Sequence, residues 1–302
     1  MTLDLAPTRI EAAVAEIDPV FLNTPQFVSD ELSATLGHEV VVKVETVNPI
    51  GSFKGRGASV LAPSLDPQRI WVCSTAGNFG QGIAYAARKA GATVQVFVSP
   101  AVPATKVERM RRLGARVDVS DQPEAAAREY AAASDDRLLV TDALGPDMAE
   151  GAGTIGIELE AAGHIDTAFV QLGDGALISG VACWLKHVAP RTRVVGVCAT
   201  GAPAMAQSFE AGRPMAVRGA GTIATAIAIT EPIPESFARV RALVDDVVLV
   251  DDDDLRAAQQ LAADTLALLV EPAGAAGIAA LARYGASVTG QRVAVILTGA
   301  AV

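Results

Sequence analysis

The sequence predicts an α/β protein whose sheets are mostly parallel. Short apolar runs of strand length alternate with longer helical patterns along most of the 302 residues. Two of these runs, ending near Cys73 and Leu172, pass through Gly-rich turns directly into a helical pattern. Such alternation is typical of parallel strands covered by helices on both faces. Because 51% of the residues are hydrophobic, the chain can bury one large core or two adjoining ones.

The predicted strands are short runs rich in Val and Ile. In chain order they are Val40–Val44, Ile70–Cys73, Thr93–Val98, Arg116–Val119, Phe169–Leu172, Val194–Cys198, Val247–Val250 and Val293–Leu297. Helical patterns between them include Ala104–Leu113, Pro123–Ser134, Ile155–Ala162, Val181–Val188 and Leu255–Leu269. The acidic run Asp251–Asp254 precedes the last of these helices and is interpreted as helix N-terminal acid, which complements the helix dipole.

The charge and apolar pattern of the chain argue against two classes of partner. The formal net charge is −10, and the Lys and Arg residues form no cluster. We therefore expect neither nucleic acid nor an anionic membrane surface as a partner. The stretch closest to a membrane span, Leu261–Leu281, is interrupted by Asp264, Glu271 and Pro272, which argues against a span.

Cysteine usage and the N-terminal residues indicate the compartment. Cys73, Cys183 and Cys198 are far apart and lack the spacing of a metal site, so we expect reduced thiols. Residues Met1–Pro7 lack a basic region followed by an apolar one, so no signal peptide is predicted. Both observations favour a cytoplasmic location.

Lys54 lies in the most informative segment of the chain, Asn-Pro-Ile-Gly-Ser-Phe-Lys-Gly-Arg-Gly-Ala at residues 48–58. Its small neighbours, among them Gly55 and Gly57, are interpreted as room for the backbone to approach something bulky and planar. A lysine amine beside a carbonyl compound forms a Schiff base, and proteins commonly use this bond to hold pyridoxal phosphate. The alternative is a solvated lysine at the start of a helix.

Three further segments favour the cofactor interpretation. Residues 73–82, Cys-Ser-Thr-Ala-Gly-Asn-Phe-Gly-Gln-Gly, follow an apolar run and precede a helical pattern. Residues 169–180, Phe-Val-Gln-Leu-Gly-Asp-Gly-Ala-Leu-Ile-Ser-Gly, repeat this arrangement. A helix N-terminus presents free N–H groups that suit a phosphate or a carboxylate. Residues 293–299 form a buried-strand pattern that ends in the hydroxyl of Thr298.

Taken in this order, the segments resemble the fold-type II pyridoxal-phosphate enzymes, specifically their threonine/serine dehydratase (ammonia-lyase) branch. The resemblance runs nearly end to end. It also covers Ile10–Ala15, Asn23–Pro25, Glu150–Ile155, Gly201–Met205, Thr222–Ala224 and Glu271–Gly274. It implies the fold of the tryptophan synthase β subunit, with two parallel-sheet α/β domains and the smaller inserted into the larger. The large cofactor-binding domain would comprise residues 1–56 and 148–302, and the small substrate-loop domain residues 57–147.

The resemblance also implies roles for individual residues. Lys54 would hold the cofactor and, once displaced by the substrate amine, remove the α-proton. The residues expected to bind the cofactor with it are Phe53, Asn78, Gly173, Asp174, Gly175, Ala176, Leu177 and Thr298. Among these, residues 173 and 175–177 would supply backbone donors to the phosphate, Asn78 would bond the ring hydroxyl, and Thr298 would face the pyridine nitrogen. Ser74, Thr75, Ala76 and Gly77 would grip the substrate carboxylate.

The chain departs from the pattern of this family at several positions. Ala76 stands where relatives that racemise serine carry a second catalytic serine, so racemisation is not expected. Asp174 stands where relatives mostly have Gly, and we expect its carboxylate to cap the following helix. Phe79 either narrows the pocket or packs against the helix that follows it in the chain, and Ala226 replaces a Gly close to the ring. Glu271 either lines the pocket or simply precedes a helix.

A bound divalent metal is not expected. Metal-activated relatives place acidic ligands and a carbonyl at positions that align with Cys198, Ala202 and Ala204. The thiol of Cys198 and the methyl group of Ala204 remove both of the carboxylates, and Mg²⁺ and Ca²⁺ require several oxygen ligands. Cys198 is therefore interpreted as a buried structural cysteine.

The predicted activity is that of a lyase that eliminates water from threonine, serine or a related β-hydroxy amino acid, giving a 2-oxo acid and ammonia. The alternatives are β-replacement by a thiol or amine nucleophile, threonine synthase-like chemistry, and a catalytically silent cofactor-binding protein. A homodimer is expected from the resemblance. Because the sequence ends soon after Thr298, we expect no regulatory domain and no feedback control by isoleucine.

Overall fold

The computed structural model describes residues 3–142, 145–288 and 290–301, which form ten β-strands and twelve α-helices. The strands are β1 Gln26–Val28, β2 Glu39–Val44, β3 Ile70–Thr75, β4 Val94–Val98, β5 Arg116–Val119, β6 Arg137–Leu139, β7 Thr167–Gln171, β8 Arg193–Ala199, β9 Asp246–Val250 and β10 Arg292–Leu297. The helices are α1 Pro7–Ala13, α2 Asp30–Leu36, α3 Lys54–Leu61, α4 Asn78–Ala90, α5 Ala104–Arg112, α6 Pro123–Ala132, α7 Asp147–Glu160, α8 Ala176–Val188, α9 Ala204–Ala211, α10 Pro234–Leu243, α11 Asp252–Leu266 and α12 Ala276–Tyr284.

The strands form two sheets. The larger sheet has six strands in the order β1-β2-β10-β7-β8-β9, and only β1 at its edge is antiparallel to its neighbour within the described residues. The smaller sheet has four parallel strands in the order β5-β4-β3-β6. The predicted α/β fold with two parallel sheets is therefore confirmed.

The smaller sheet is formed by strands from residues 70–139, which lie between β2 and β7 of the larger sheet in the chain. This order is compatible with a small domain inserted into a large one. The boundaries at residues 57 and 147 stay a prediction, and residues 1, 2, 143, 144, 289 and 302 of the two predicted domains lie outside the described part of the chain.

All eight predicted strands are present, and their ends agree with the prediction to within two residues. The two additional strands, β1 and β6, have three residues each. Neither carries a buried residue, so neither gives the apolar run by which a strand is recognised. The acidic run before α11 behaves as expected, because Asp251 forms a capping box with Asp254.

Helix α7 begins at Asp147, well before the predicted start at Ile155, because its glycines belong to the helix. A β-carbon at Gly151 would lie 2.6 Å from the Cα of Gly57 in α3. A β-carbon at Gly180 in α8 would lie 2.0 Å from the carbonyl oxygen of Ala149. Since contacts under 3.0 Å are not tolerated, these glycines allow α3, α7 and α8 to pack at very short distance.

This packing corrects the interpretation of the lysine segment. A β-carbon at Gly55 would lie 2.4 Å from the ring of Phe21, and one at Gly57 would lie 2.8 Å from the backbone of Met148. The space beside these glycines is therefore filled by the protein's own side chains and by α7. The two glycines fix the position of α3, and with it the position of Lys54, rather than making room for a ligand.

Beneath α3 lies a buried cluster of four charged side chains, which we call the Arg56 cluster: Lys43, Glu45, Arg56 and Glu158. The Arg56 guanidinium is fully buried and donates to both oxygens of Glu45, at 2.8 and 2.9 Å, and to both oxygens of Glu158, at 2.7 and 2.9 Å. Lys43 also forms an ion pair with Glu158. Two cations face two carboxylates, so the cluster is electrically balanced.

Cys73, Cys183 and Cys198 are all buried free thiols. In the described ranges, none of the helices is long and apolar enough to cross a membrane.

Candidate active site

A pocket opens at the carboxyl ends of strands β7 and β10, beside the first residue of α3. Its lining residues are Phe53, Lys54, Asn78, Gln171, Gly173, Asp174, Gly175, Ala176, Leu177, Ala226, Ile227, Glu271, Ala273 and Thr298. All the residues expected to bind a cofactor are therefore brought together in one pocket.

Lys54 opens helix α3 and projects its amine into this pocket. Its side chain is only 15% exposed, and Nζ forms an ion pair with the carboxylate of Asp142. The amine lies 5.0 Å from the centroid of the Phe53 ring and 6.0 Å from that of Phe79. Phe79 is buried in the core cluster that contains α4, so it packs there and also borders the lysine.

The Gly-rich turn between β7 and α8 forms the wall of the pocket on the large-sheet side. Gly175 has φ +96°, a left-handed conformation that favours glycine. A β-carbon at Gly173 would lie 3.0 Å from the backbone of Ile227, so this position is also restricted to a small residue. The first N–H groups of α8 have no intrahelical partner, and the helix dipole adds positive potential there. This end of the pocket suits a phosphate group.

Asp174 lies within this turn, but it does not cap α8. Its carboxylate makes no hydrogen bond to a backbone N–H of the described residues, so the capping prediction is wrong. The backbone carbonyl of Asp174 instead accepts a hydrogen bond from the hydroxyl of Ser236, and this bond helps to fix the conformation of the turn. Burial, reinforced by the negative charge of Asp142, raises the pKa of Asp174 to about 6, although Lys54 opposes the shift.

Asn78, Glu271 and Lys106 form a hydrogen-bonded group on the opposite side of the pocket. The Asn78 amide donates to Glu271 Oε1 at 2.6 Å, and Lys106 Nζ donates to Glu271 Oε2 at 2.6 Å. Of the two interpretations of Glu271, the pocket-lining one is correct. The Lys106 side chain passes directly beneath Gly77, where a β-carbon would lie 2.5 Å from its Cδ.

The loop of residues 74–77 adjoins the pocket without being part of its lining. Ser74 and Thr75 are the last two residues of strand β3 in the small sheet, and Ala76 and Gly77 lead into α4. Thr75 Oγ1 accepts hydrogen bonds from the N–H groups of Gly77, at 2.9 Å, and of Gly80, at 3.3 Å. Ala76 is exposed, and Ser74 and Thr75 are half-buried.

Thr298 is buried at the end of β10, with 4% of its surface exposed. Its carbonyl accepts from the N–H of Phe53 at 3.2 Å, which ties the strand to the residue before Lys54. Ala226 also lines the pocket. A β-carbon at Gly173 would lie 3.2 Å from the carbonyl oxygen of Ala226.

The aligned metal positions offer no acidic ligand. The Cys198 thiol is buried and donates to the carbonyl of Leu172 at 3.3 Å, while Ala202 and Ala204 are buried alanines. Burial raises the pKa of Cys198 to about 12, which keeps the thiol protonated. The described part of the chain contains no group of three or more His, Cys, Asp or Glu side chains that could hold a metal ion.

Two residues of this region were not identified from the sequence. Lys106 shares the buried face of α5 with Val107 and Met110, so helical spacing could have revealed it as a lysine on an apolar face. Asp142 lies 88 residues from Lys54 in the chain, and no local pattern marks it.

The arrangement fits a ligand that carries both a phosphate and a carbonyl group. The N-terminus of α8 suits the phosphate, Lys54 offers an amine, and Thr298 offers a hydroxyl at the far end of the pocket. Asp174 is unfavourable beside a dianion, and with a pKa of about 6 it loses its charge only as the pH falls through that value.

Comparisons with known proteins agree with this geometry. The family model described as pyridoxal-phosphate dependent enzyme matches residues 17–299. A putative threonine dehydratase of Sinorhizobium fredii is 33% identical over 98% of this chain and 92% of that protein. A phenylserine dehydratase of Ralstonia pickettii is 35% identical over 91% of this chain and 87% of that protein. The chain spans about half, 46%, of the chloroplastic biosynthetic threonine dehydratase of Arabidopsis thaliana, with 32% identity over 88% of this chain.

Two solved structures superpose on almost the whole chain. A threonine deaminase from T.th. has a TM-score of 0.90 and 30% identity, covering 97% of both chains. A maize serine racemase has a TM-score of 0.90 and 29% identity, covering 99% of this chain and 96% of that chain.

Proposed function

This chain belongs to the pyridoxal-phosphate-dependent enzymes, in their threonine/serine dehydratase branch, and we propose that it converts a β-hydroxy amino acid of the threonine and serine class to a 2-oxo acid and ammonia. The observation that carries the proposal is a single pocket containing the Lys54 amine and the free N-terminus of α8. Dehydratases of threonine and of phenylserine among the relatives support this substrate class.

Lys54 is the base of the proposed reaction. When bound, pyridoxal phosphate would accept the electron pair that remains on the α-carbon after its proton has left. The Lys54 amine then takes that proton at Nζ, in a site where its side chain is only 15% exposed. The helix packing around α3 holds this nitrogen in place, which favours a single geometry for proton transfer.

The other residues of the pocket bind and orient. The N–H groups at the start of α8 would hold the phosphate, Asn78 would bond the ring hydroxyl, and Thr298 would face the ring nitrogen. The loop of residues 74–77 would hold the substrate carboxylate. Because Thr75 already occupies the Gly77 N–H, this loop must exchange that bond when the substrate binds.

We further infer that the protein is a cytoplasmic homodimer that requires no divalent metal. The edge strand β1 supports the dimer, since Phe27 and Val28 are 43% and 37% exposed on it. The buried free thiols are compatible with a reducing compartment. Light scattering would test the dimer, and dialysis against EDTA followed by assay would test metal independence.

A panel of amino acids tests the activity most directly. The 2-oxo acid and ammonia released are measured for threonine, serine, phenylserine and alanine, each with and without an added thiol. The proposal expects both products from at least one β-hydroxy amino acid and none from alanine. Product that forms only with the thiol would show β-replacement instead, and no turnover of any amino acid by cofactor-loaded protein would favour a silent binding protein.

A further inference from the structure

We propose that Asp142 is a second catalytic residue of this site, which passes a proton from Lys54 to the departing hydroxyl group of the substrate. This inference rests on the proposed function, because it assigns the acid that the elimination of water requires. Hydroxide is a poor leaving group, and a positioned carboxyl group that protonates it accelerates its departure.

The position of Asp142 places it beside the reacting base. It follows β6 at the carboxyl edge of the small sheet and reaches across to the first residue of α3. Its Oδ2 is in direct contact with Lys54 Nζ, and the two side chains are 17% and 15% exposed. A proton on this pair is therefore largely shielded from bulk water.

One oxygen of Asp142 is left without a partner. Oδ1 is buried and makes no hydrogen bond with any of the described residues. Buried polar atoms are nearly always bonded, and an exception next to a pocket residue, here Lys54, suggests a partner that arrives with the ligand.

Three other carboxylates of the interior, Glu45, Glu158 and Glu271, behave differently. Both oxygens of Glu45 and both of Glu158 accept from Arg56, and Glu271 accepts from Asn78 with one oxygen and from Lys106 with the other. These three carboxylates have a bonded partner at each oxygen. Asp142 has only Lys54, which under the proposed function is the group that reacts.

The proposed step conserves protons and electrons. Lys54 Nζ takes the α-proton, and the adjacent Asp142 carboxylate accepts a proton from Nζ. Rotation about the Asp142 Cβ–Cγ bond then presents this proton to the β-oxygen of the substrate. As the C–O bond breaks, its electron pair leaves with the oxygen as water, and the pair released at the α-carbon forms the Cα–Cβ double bond. Lys54 and Asp142 return to their starting states without an external reductant or oxidant.

The test compares two substrates that differ only in whether the leaving group needs a proton. Serine loses hydroxide, whereas β-chloroalanine loses chloride, which departs without protonation. For Asp142→Asn we expect serine turnover to fall on the order of 10²–10⁴-fold and β-chloroalanine turnover by less than about threefold. Rates are expressed per bound cofactor, measured by absorbance, so that incomplete loading does not alter the ratio. The matched control is Asp253→Asn, at a side chain 94% exposed in α11, which should change neither rate.

A second variant, with no polar side chain at position 142, tests the same role without the asparagine amide. In Asp142→Ala, added formate should restore part of the serine turnover, because a small carboxylic acid can occupy the space of the missing group. Equal losses on both substrates, together with no rescue by formate, would overturn the role of Asp142. If the unmodified enzyme released no 2-oxo acid from either substrate, the proposed function itself would fail.

Discussion

Helix α3 carries two cations, Lys54 and Arg56, whose surroundings differ sharply. Arg56 is fully buried in the Arg56 cluster, where each of its carboxylate partners is bonded at both oxygens. Lys54 has one partner, Asp142, which keeps a buried oxygen unbonded. The same helix therefore carries one charged group whose carboxylate partners are fully hydrogen-bonded and another whose carboxylate partner has an unbonded oxygen.

This difference in hydrogen bonding suggests that the Arg56 cluster stabilises the fold, whereas Lys54 and Asp142 take part in the reaction. A saturated buried network fixes the position of a helix but has no capacity left for a ligand. The Lys54–Asp142 pair, in which one carboxylate oxygen is unbonded, can exchange its partner, as proton transfer requires. We therefore expect changes in the Arg56 cluster to act on folding and changes around Lys54 to act on turnover.

The largest effect is expected from Lys54→Ala. Removing both the cofactor-binding amine and the base should lower 2-oxo acid release by more than about 10³-fold while the protein stays folded. Product release and thermal melting measure the two properties. Lys89→Ala, at a lysine 56% exposed, is the control and should retain activity. Near-normal turnover in Lys54→Ala would remove Lys54 from the mechanism.

The Arg56 cluster gives the opposite expectation. Arg56→Met leaves Glu45 and Glu158 without their main partner, and breaking a buried ion network in this way costs about 3–5 kcal/mol of unfolding free energy. Denaturant titration measures this loss. Arg128→Met, at an exposed pair with Glu124, should cost less than about 1 kcal/mol. A loss in Arg56→Met no larger than that of the control would show that the cluster does not stabilise α3.

The third prediction concerns Asp174, which lies in the turn expected to bind the phosphate. Its pKa is about 6 in the folded protein and 3.8 in an ordinary aspartate, so folding favours the protonated form. The associated stability is present below pH 3.8 and is lost as the pH rises through 6. Without cofactor, Asp174→Asn should therefore raise the unfolding free energy at pH 8 by about 1–2 kcal/mol and change it little at pH 4. An equal effect at both pH values would show that the carboxylate is not perturbed.

The cysteines should give the smallest response. Burial raises the pKa of Cys73 and Cys198 to about 12 and that of Cys183 to about 11. All three thiols should stay protonated and unreactive toward Ellman's reagent at pH 8, and all three should react in guanidinium chloride. A fast reaction of Cys198 in the native protein would show that the end of β8 is open.

The cofactor side of the pocket was predictable because local patterns encode it. The turn from β7 to α8 can be predicted from residues that are adjacent in the sequence. Gly175 has a left-handed backbone conformation, and the next residue starts a helix. Thr298 follows an uninterrupted buried strand. Backbone geometry of this kind depends on short sequence windows, so strands and Gly-rich turns together indicate both the fold and the pocket.

The side-chain contacts on the other side of the pocket were not predictable because they join residues that are distant in the chain. Asp142 meets Lys54 across 88 positions, and Lys106 meets Glu271 across 165. The glycines at 55 and 57 were misinterpreted for the same reason, because the atoms that restrict them belong to Phe21 and Met148. A sequence window shows that a residue is small, but not what lies against it.

We propose that Lys54 carries the cofactor, and direct labelling of this lysine tests the proposal. The protein is loaded with pyridoxal phosphate, reduced with borohydride and digested, and the modified peptide is identified by mass spectrometry. The account predicts the phosphopyridoxyl mass on the peptide that contains Lys54 and none on those containing Lys43 or Lys106, which are buried in ion pairs with Glu158 and Glu271. Modification of Lys106 with Lys54 left unmodified would contradict the account.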